Sequence, residues 1–414
     1  MSTSRLVYEP IAEVERPEYY QPGGYHPVQI GDYLHNRYRI VHKLGHGPFS
    51  TTWLARDRQL SAYAAVKVGT SEHEMDVLSH ITDVVTESKP RGKALFPIVL
   101  DRFSLRGPNG THRCLVTNPA RCSLADAKDS SISCLFQLQV ARALAAQLAI
   151  AVVQIHDLGY VHGSLHLNNI RLHFPPDLDR LSEEQLYDKF GEPEHKPIIP
   201  LKGKSISPNI PSHAISAVWL GEPSEDMSLS DAHLMLAGFE AAFRPSEESR
   251  LQSSTPLEIR PPEACFEPTT PLSFPSDIWT LGCTIWAILG HGSLFDNLIA
   301  NQDVITCEQV DALGRLPADW WEEWDARSEK FDEAGEPIQG RSMWTWEERF
   351  EDSIEDPRRR KYMGSLDVEE KVAFFTMMRW MLAFRPSDRP TAKEVLETAW
   401  MRDWALPDFK KASE

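Results

Sequence analysis

Cysteine is scarce in this 414-residue chain and never closely paired: Cys114, Cys122, Cys134, Cys265, Cys283 and Cys307 are the whole set, with no C-x-x-C among them. That argues against a disulfide framework or a cysteine zinc module and makes free thiols in a reducing compartment the expectation. No run approaches ~18 uninterrupted apolar residues, so no membrane span is expected. The stretch from Met1 to Tyr20 is polar, so no signal peptide is expected either, and the cytoplasm or nucleus is the expected location. Internal repeats and low-complexity tracts are missing, which excludes a solenoid. Without a signal peptide, Asn109-Gly110-Thr111 reads as a turn and not as a glycosylation acceptor. Positive charge is in deficit, with 43 Lys and Arg against 60 Asp and Glu and a formal net charge of −17. Such a surface repels nucleic acid backbones and attracts basic chains.

What is present begins with Leu44-Gly45-His46-Gly47-Pro48-Phe49-Ser50, set between the β-type runs Tyr38-Arg39-Ile40-Val41 and Thr51-Thr52-Trp53-Leu54-Ala55. A glycine-rich turn between two strands is suited to covering the phosphates of ATP. Ala64-Ala65-Val66-Lys67 then reads as a strand carrying a phosphate-binding lysine. Further on, Val161 to Ile170 holds His162, Leu165 and Asn169 at the spacing of the kinase catalytic loop H-R-D-L-x-x-x-N. Arg260-Pro261-Pro262-Glu263 reads as the end of an activation segment. Asp277-Ile278-Trp279 reads as the start of a large buried helix, and Arg389 as the arginine that pairs with Glu263. These motifs in this order resemble a protein kinase. Gly23-Gly24-Tyr25-His26-Pro27-Val28-Gln29-Ile30-Gly31-Asp32 and Phe49-Ser50-Thr51-Thr52-Trp53 resemble the SR-protein kinase family and its fungal relatives.

The resemblance implies an α+β, bilobal kinase-like fold. Its expected parts are an N-terminal arm (1–36), a small β-rich lobe (37–120), a larger helical lobe (121–408) with an insertion at about 171–233, and a tail (409–414). The resemblance implies a nucleotide site made of Leu44, Gly45, Gly47, Ser50, Thr52, Ala65, Lys67, Glu74, Thr117, Asn118 and Ala120. It gives structural roles to His162, Glu263, Asp277 and Arg389. It also implies basic Arg/Ser-rich proteins as partners, with no direct nucleic acid contact. A helix from Ala141 to Ile155 is expected to lead into the catalytic loop. The Pro-rich insertion is expected to wrap the surface of the larger lobe, with partner docking as the alternative, because a loop of that length packs or binds something.

The chain departs from the pattern where the chemistry is done. Ser164 stands in place of the catalytic Asp, and a hydroxyl carries no charge at neutral pH and does not replace a carboxylate as proton acceptor. In Ala237-Gly238-Phe239-Glu240-Ala241, Gly238 stands at the metal-binding Asp, and Mg2+ prefers hard carboxylate oxygens. Asn169 keeps its metal-binding type but would work nearly alone. Pro48 removes one N–H from the tip of the glycine-rich loop. His166 replaces the catalytic-loop lysine. Glu74 has two open roles: partner of Lys67, or the reciprocal arm of a Ser71-x-x-Glu74 capping box. A pseudokinase is therefore expected, with ATP held weakly and nearly indifferent to Mg2+. The alternative is an active serine/threonine kinase with His166 as base and Glu240, or Asn168 with Asn169, holding the metal.

Overall fold

A computed structural model describes residues 7–88, 94–201, 206–295 and 301–412. The chain forms two compact units, Met1–Cys122 with His173–Gly221, and Ser123–Leu172 with Glu222–Glu414. The first is β-rich and the second mainly helical, as an α+β chain of this type requires.

Six antiparallel strands organise the first unit: β1 (Tyr33–Leu34), β2 (Tyr38–His46), β3 (Thr51–Asp57), β4 (Ala62–Val68), β5 (Val99–Gly107) and β6 (Gly110–Thr117). They lie in the order β1-β2-β3-β4-β6-β5. Because successive side chains alternate between faces, Tyr38, Ile40, Trp53, Ala55, Ala64, Val66, Cys114 and Val116 gather on one face as a buried cluster. The alternate residues Val41, Leu54 and Tyr63 are just as apolar and need cover of their own. They find it in Phe174, Leu186, Phe190, Val218 and Leu220, all from the insertion.

The expected wrapping of the larger lobe is thereby corrected, since residues 173–221 belong to the β-rich unit. Nor is the insertion an irregular loop. It holds a helix, Glu183–Phe190, started by a Ser182/Gln185 capping box, and a hairpin of His195–Pro197 with His213–Ile215. Tyr187 Oη donates to Val41 O at 3.0 Å, Tyr63 Oη to Leu181 O at 3.1 Å, and Arg39 pairs with Glu183. The arm joins the same layer. Tyr8 bridges to Pro200, and Tyr8, Val14, Ile198 and Ala214 form a further buried cluster. Glu15 is buried against Lys43 of β2 and the Tyr20 hydroxyl. Burial alone would raise the Glu15 carboxyl, but the Lys43 charge and hydrogen bonds hold it below its ordinary range.

Two helices carry the second unit. Leu138–Asp157 runs three residues before and two past the expected span, and Phe274–Leu289 is buried on every side from Ser276 onward. A helix apolar all round belongs in a core. Leu138–Asp157 is long and apolar enough to cross a bilayer by length and composition, but most of it is buried inside the unit. Two buried cations, Lys128 and Arg358, donate to the carbonyls of Ala287, Gly290 and Leu289 at the C-terminal end of Phe274–Leu289, where unpaired carbonyls and the helix dipole favour positive charge. The expected tail is also corrected. Leu406–Ala412 is a helix packed against Leu138–Asp157, with Asp408 buried and bonded to Arg142 at 3.3 Å.

Candidate functional site

In the β-rich unit, the site begins where β4 ends. Lys67 pairs in register with Thr52 of β3 and Leu115 of β6, which fixes the direction of its side chain. Helix α1 (Glu72–Ser88) follows after a short connection. Both carboxylate oxygens of Glu74 lie near Lys67 Nζ, at 2.9 and 2.8 Å. The Glu74 backbone N–H takes the Ser71 hydroxyl at 3.1 Å. The carboxylate thus takes the first of the two open roles, as partner of the lysine, while Ser71 caps the amide of the same residue. Ala65 and Thr117 are register partners, and Asn118 Oδ1 accepts from Ile98 N at 2.7 Å. Ala120 opens the short strand Ala120–Ser123.

The glycine-rich loop is closed on itself. Gly47 N donates to Ser50 O at 2.8 Å, and Pro48 has no N–H to offer. Two backbone donors that a phosphate would use are therefore absent or engaged. Leu44 and Gly45 lie at the end of β2 and Thr52 near the start of β3, while Ser50 is buried and Phe49 at the tip is exposed. Sequence reasoning missed Tyr25, whose hydroxyl donates to Gly47 O at 2.8 Å and ties the arm to the loop. The only hint was its place in the Gly23–Asp32 lead-in.

In the helical unit the segment 161–170 hangs on Asp277, whose carboxylate accepts from His162 N at 2.7 Å and Gly163 N at 2.9 Å and meets His156 Nε2 at 3.0 Å. Burial would raise this carboxyl, yet the two histidines and the backbone N–H groups hold it below its usual range. His156 was not anticipated from sequence, because it lies on the preceding helix and reaches Asp277 only through folding. His162 is wholly buried. Its Nδ1 accepts from Ser164 N at 3.2 Å and its Nε2 faces Ala237 O at 3.0 Å. A carbonyl only accepts, so Nε2 carries the proton and the ring is a neutral structural link. Phe239 packs on this ring at 4.9 Å.

Ser164, His166, Asn169 and Gly238 come together, but not as a kinase arranges a base and a metal. Asn169 Nδ2 lies 2.9 Å from Ser164 O, 3.2 Å from Ser164 Oγ and 3.1 Å from His166 Nε2. Since Ser164 O must accept, the amide nitrogen is the donor and takes the Nε2 lone pair of His166 as well. Burial, then the nearby His162, pushes the His166 pKa down to about 4. The ring is therefore uncharged at neutral pH, and the lone pair that would receive a proton is engaged. Gly238 has φ +82°, and a Cβ there would lie 2.3 Å from Asn169 Cγ and 2.5 Å from Oδ1 and Nδ2. The carboxamide of Asn169 fills the space that a side chain at 238 would need.

A magnesium clamp does not fit these residues: the set offers one amide oxygen and no carboxylate. Residues 239–241 form a 3-10 turn, and Glu240 within it is exposed, as is Asn168. Among the described residues, no group of three or more His, Cys, Asp or Glu is gathered to hold a metal. Beyond the loop, Arg389 donates both Nη groups to Glu263, at 2.8 and 2.7 Å.

No family model matches the chain. It is similar to a serine/threonine protein kinase of Aspergillus fumigatus, at 26% identity over 94% of this chain and 90% of that protein. It is similar to protein kinase dsk1 of Schizosaccharomyces pombe, at 24% over 96% and 86%. It is also similar to serine/threonine-protein kinase SRPK of Physarum polycephalum, at 26% over 96% and 93%.

Proposed function

Because the chain belongs to an SR-protein kinase-like family, we propose that it is a pseudokinase: a kinase-fold protein with little or no phosphotransfer, acting as a binding or regulatory module for basic, Arg/Ser-rich proteins. The observation that carries this reading is the Asn169 carboxamide, held by Ser164 and His166 in the space beside Gly238. Losing general acid–base help costs ~10²–10⁴ in rate, and losing one electrostatic stabiliser of the transition state costs ~10²–10³. These terms do not simply multiply, because such groups act as a unit. One alone leaves a very slow enzyme. The Lys67–Glu74 pair favours the alternative, an active ATP-dependent serine/threonine kinase with atypical residues. Against it stands His166, whose Nε2 lone pair is already bonded.

ATP binding is expected to be weak and nearly unchanged by Mg2+, since Gly238 offers no ligand and the loop tip lacks two free donors. Thermal-shift titration with and without Mg2+ measures this, and Lys67→Ala should remove most of whatever shift ATP produces. A rise of several degrees that requires Mg2+ would mean that another group supplies the missing carboxylate.

Three acidic stretches, 224–226, 321–325 and 351–356, differ in what they have left to offer a basic partner. Glu225 accepts from Ser133 N at 2.9 Å, and Glu351 and Asp356 pair with Arg359, so these charges are partly engaged. Glu322, Glu323 and Asp325 are exposed around a buried Trp320, Trp321 and Trp324 cluster. Binding of Arg/Ser repeats is expected to weaken as salt shortens the Debye length from ~10 Å at 0.1 M to ~3 Å at 1 M. Glu322→Gln/Glu323→Gln/Asp325→Asn should weaken it further, with no appreciable binding to DNA or RNA. Equal retention of a Lys-rich peptide of the same charge would reduce the interaction to nonspecific electrostatics.

A further inference from the structure

The arm meets the sheet of the β-rich unit at a buried polar cluster that nucleotide and peptide readings leave unused. At the end of β5, a Cβ on Gly107 would lie 2.2 Å from Cε1 and 2.8 Å from Nδ1 of His26, so the missing side chain makes the room in which that imidazole sits. His112 of β6 packs edge-on against it, with ring centres 5.0 Å apart. Leu105 pairs with His112 and Gly107 with Gly110, which puts positions 107 and 112 on one face of the hairpin. In the turn between those strands, Asn109 is fully buried. Its Nδ2 donates to Tyr25 O at 2.7 Å and to Asn209 O at 3.0 Å, which identifies Oδ1 as the free acceptor.

Three atoms of this cluster are buried without a hydrogen-bond partner among the described residues: His26 Nδ1, His112 Nε2 and Asn109 Oδ1. Each side chain is more than nine-tenths buried. Leaving such an atom unpaired forfeits its hydration with no bond in return. With Zn–N bonds of about 2.0–2.1 Å, two imidazoles on one tetrahedral ion have ring centres about 5 Å apart. The observed 5.0 Å meets that spacing, which edge-on packing of two rings also reaches, so the unpartnered nitrogens and not the distance carry the argument.

We propose that His26, His112 and the Asn109 carboxamide form a site for a borderline divalent metal ion of the Zn2+ class, which fastens the N-terminal arm to the β5–β6 hairpin. Asn109 also holds the insertion through Asn209 O, so the ion would sit where arm, hairpin and insertion meet. Two nitrogens and one oxygen suit Zn2+ or its first-row neighbours better than Ca2+ or Mg2+, which favour oxygen alone.

The test uses the full chain stripped with EDTA and titrated with Zn2+, followed by calorimetry and thermal denaturation. Co2+ serves as a spectroscopic substitute. The expected result is one equivalent bound, a rise in melting temperature and the visible absorption of tetrahedral Co2+. His112→Gln and His26→Gln should each weaken binding by more than about tenfold, since even outer-shell changes cost 10–100-fold. Gly107→Ala, which pushes His26 aside without touching a ligand, should do the same if a glutamine variant fails to fold. Changing the exposed pair His195 and His213, whose rings lie 6.0 Å apart, to alanine should leave binding intact. Undiminished Zn2+ binding in His112→Gln, or no response in the unmodified chain, overturns the proposal and leaves a buried polar cluster that binds no metal.

Discussion

Ser164→Asp, introduced alone, leaves phosphotransfer to Arg/Ser peptides undetectable. The substitution returns a carboxylate to the base position, and general base help is worth ~10²–10⁴, but no metal ligand accompanies it. Gly238→Asp is the necessary second change. The backbone there is left-handed at φ +82°, a conformation that Asp tolerates better than most residues. The obstacle is Asn169, whose carboxamide stands 2.3–2.5 Å from the new Cβ. It must swing away from Ser164 and His166, and a buried carbonyl left unbonded costs about 1–3 kcal/mol. Gly238→Asp by itself should therefore be less stable than the parent and still inactive. The double variant Ser164→Asp/Gly238→Asp should gain Mg2+-dependent phosphotransfer at least ~10²-fold above the parent background. A radiometric assay decides the matter. Robust phosphorylation by the unmodified chain, abolished by Lys67→Ala, would sink the pseudokinase reading.

Arg389→Ala should destabilise the helical unit by about 3–5 kcal/mol, the usual cost of stranding one member of a buried ion pair. All five guanidinium N–H groups have acceptors: the two Glu263 oxygens, Ala383 O at 2.8 Å, Pro275 O at 2.9 Å and Phe384 O at 2.9 Å. Removing the side chain abandons a buried carboxylate and three carbonyls together, while Glu263→Ala strands the charge of the arginine. Each single variant should lower the denaturation midpoint sharply in urea, and Arg389→Lys should recover little, because an ammonium cannot reproduce the planar fork. A loss below about 1 kcal/mol for either alanine variant would mean that the pair is solvated like a surface bridge.

Much of the site was legible because it depends on residue type at fixed spacing. The seven-residue interval from Lys67 to Glu74 is short enough for strand, turn and first helical turn to bring the two together. Ser71 marks the start of α1 by its capping chemistry, and the structure places its hydroxyl on the Glu74 amide. Tyr25 and His156 were not legible. Nothing in a tyrosine's neighbours tells which carbonyl its hydroxyl will meet 22 positions away, and His156 reaches Asp277 across 121 positions.

By itself, the sequence determined the order of the kinase-like motifs, the absence of carboxylates at 164 and 238, and the β-rich then helical succession. The first two follow from residue type at fixed spacing, and the succession is what the resemblance of those motifs to a protein kinase implies. Tertiary structure alone decided that the insertion covers Val41, Leu54 and Tyr63, that residues 406–412 form a packed helix, and that the Asn169 amide turns to Ser164 and His166 beside Gly238. An apolar pattern states that a face must be buried without stating what will bury it. A polar side chain likewise states how many hydrogen bonds it needs, and only the folded chain, by bringing distant carbonyls and rings within about 3 Å, selects the partners.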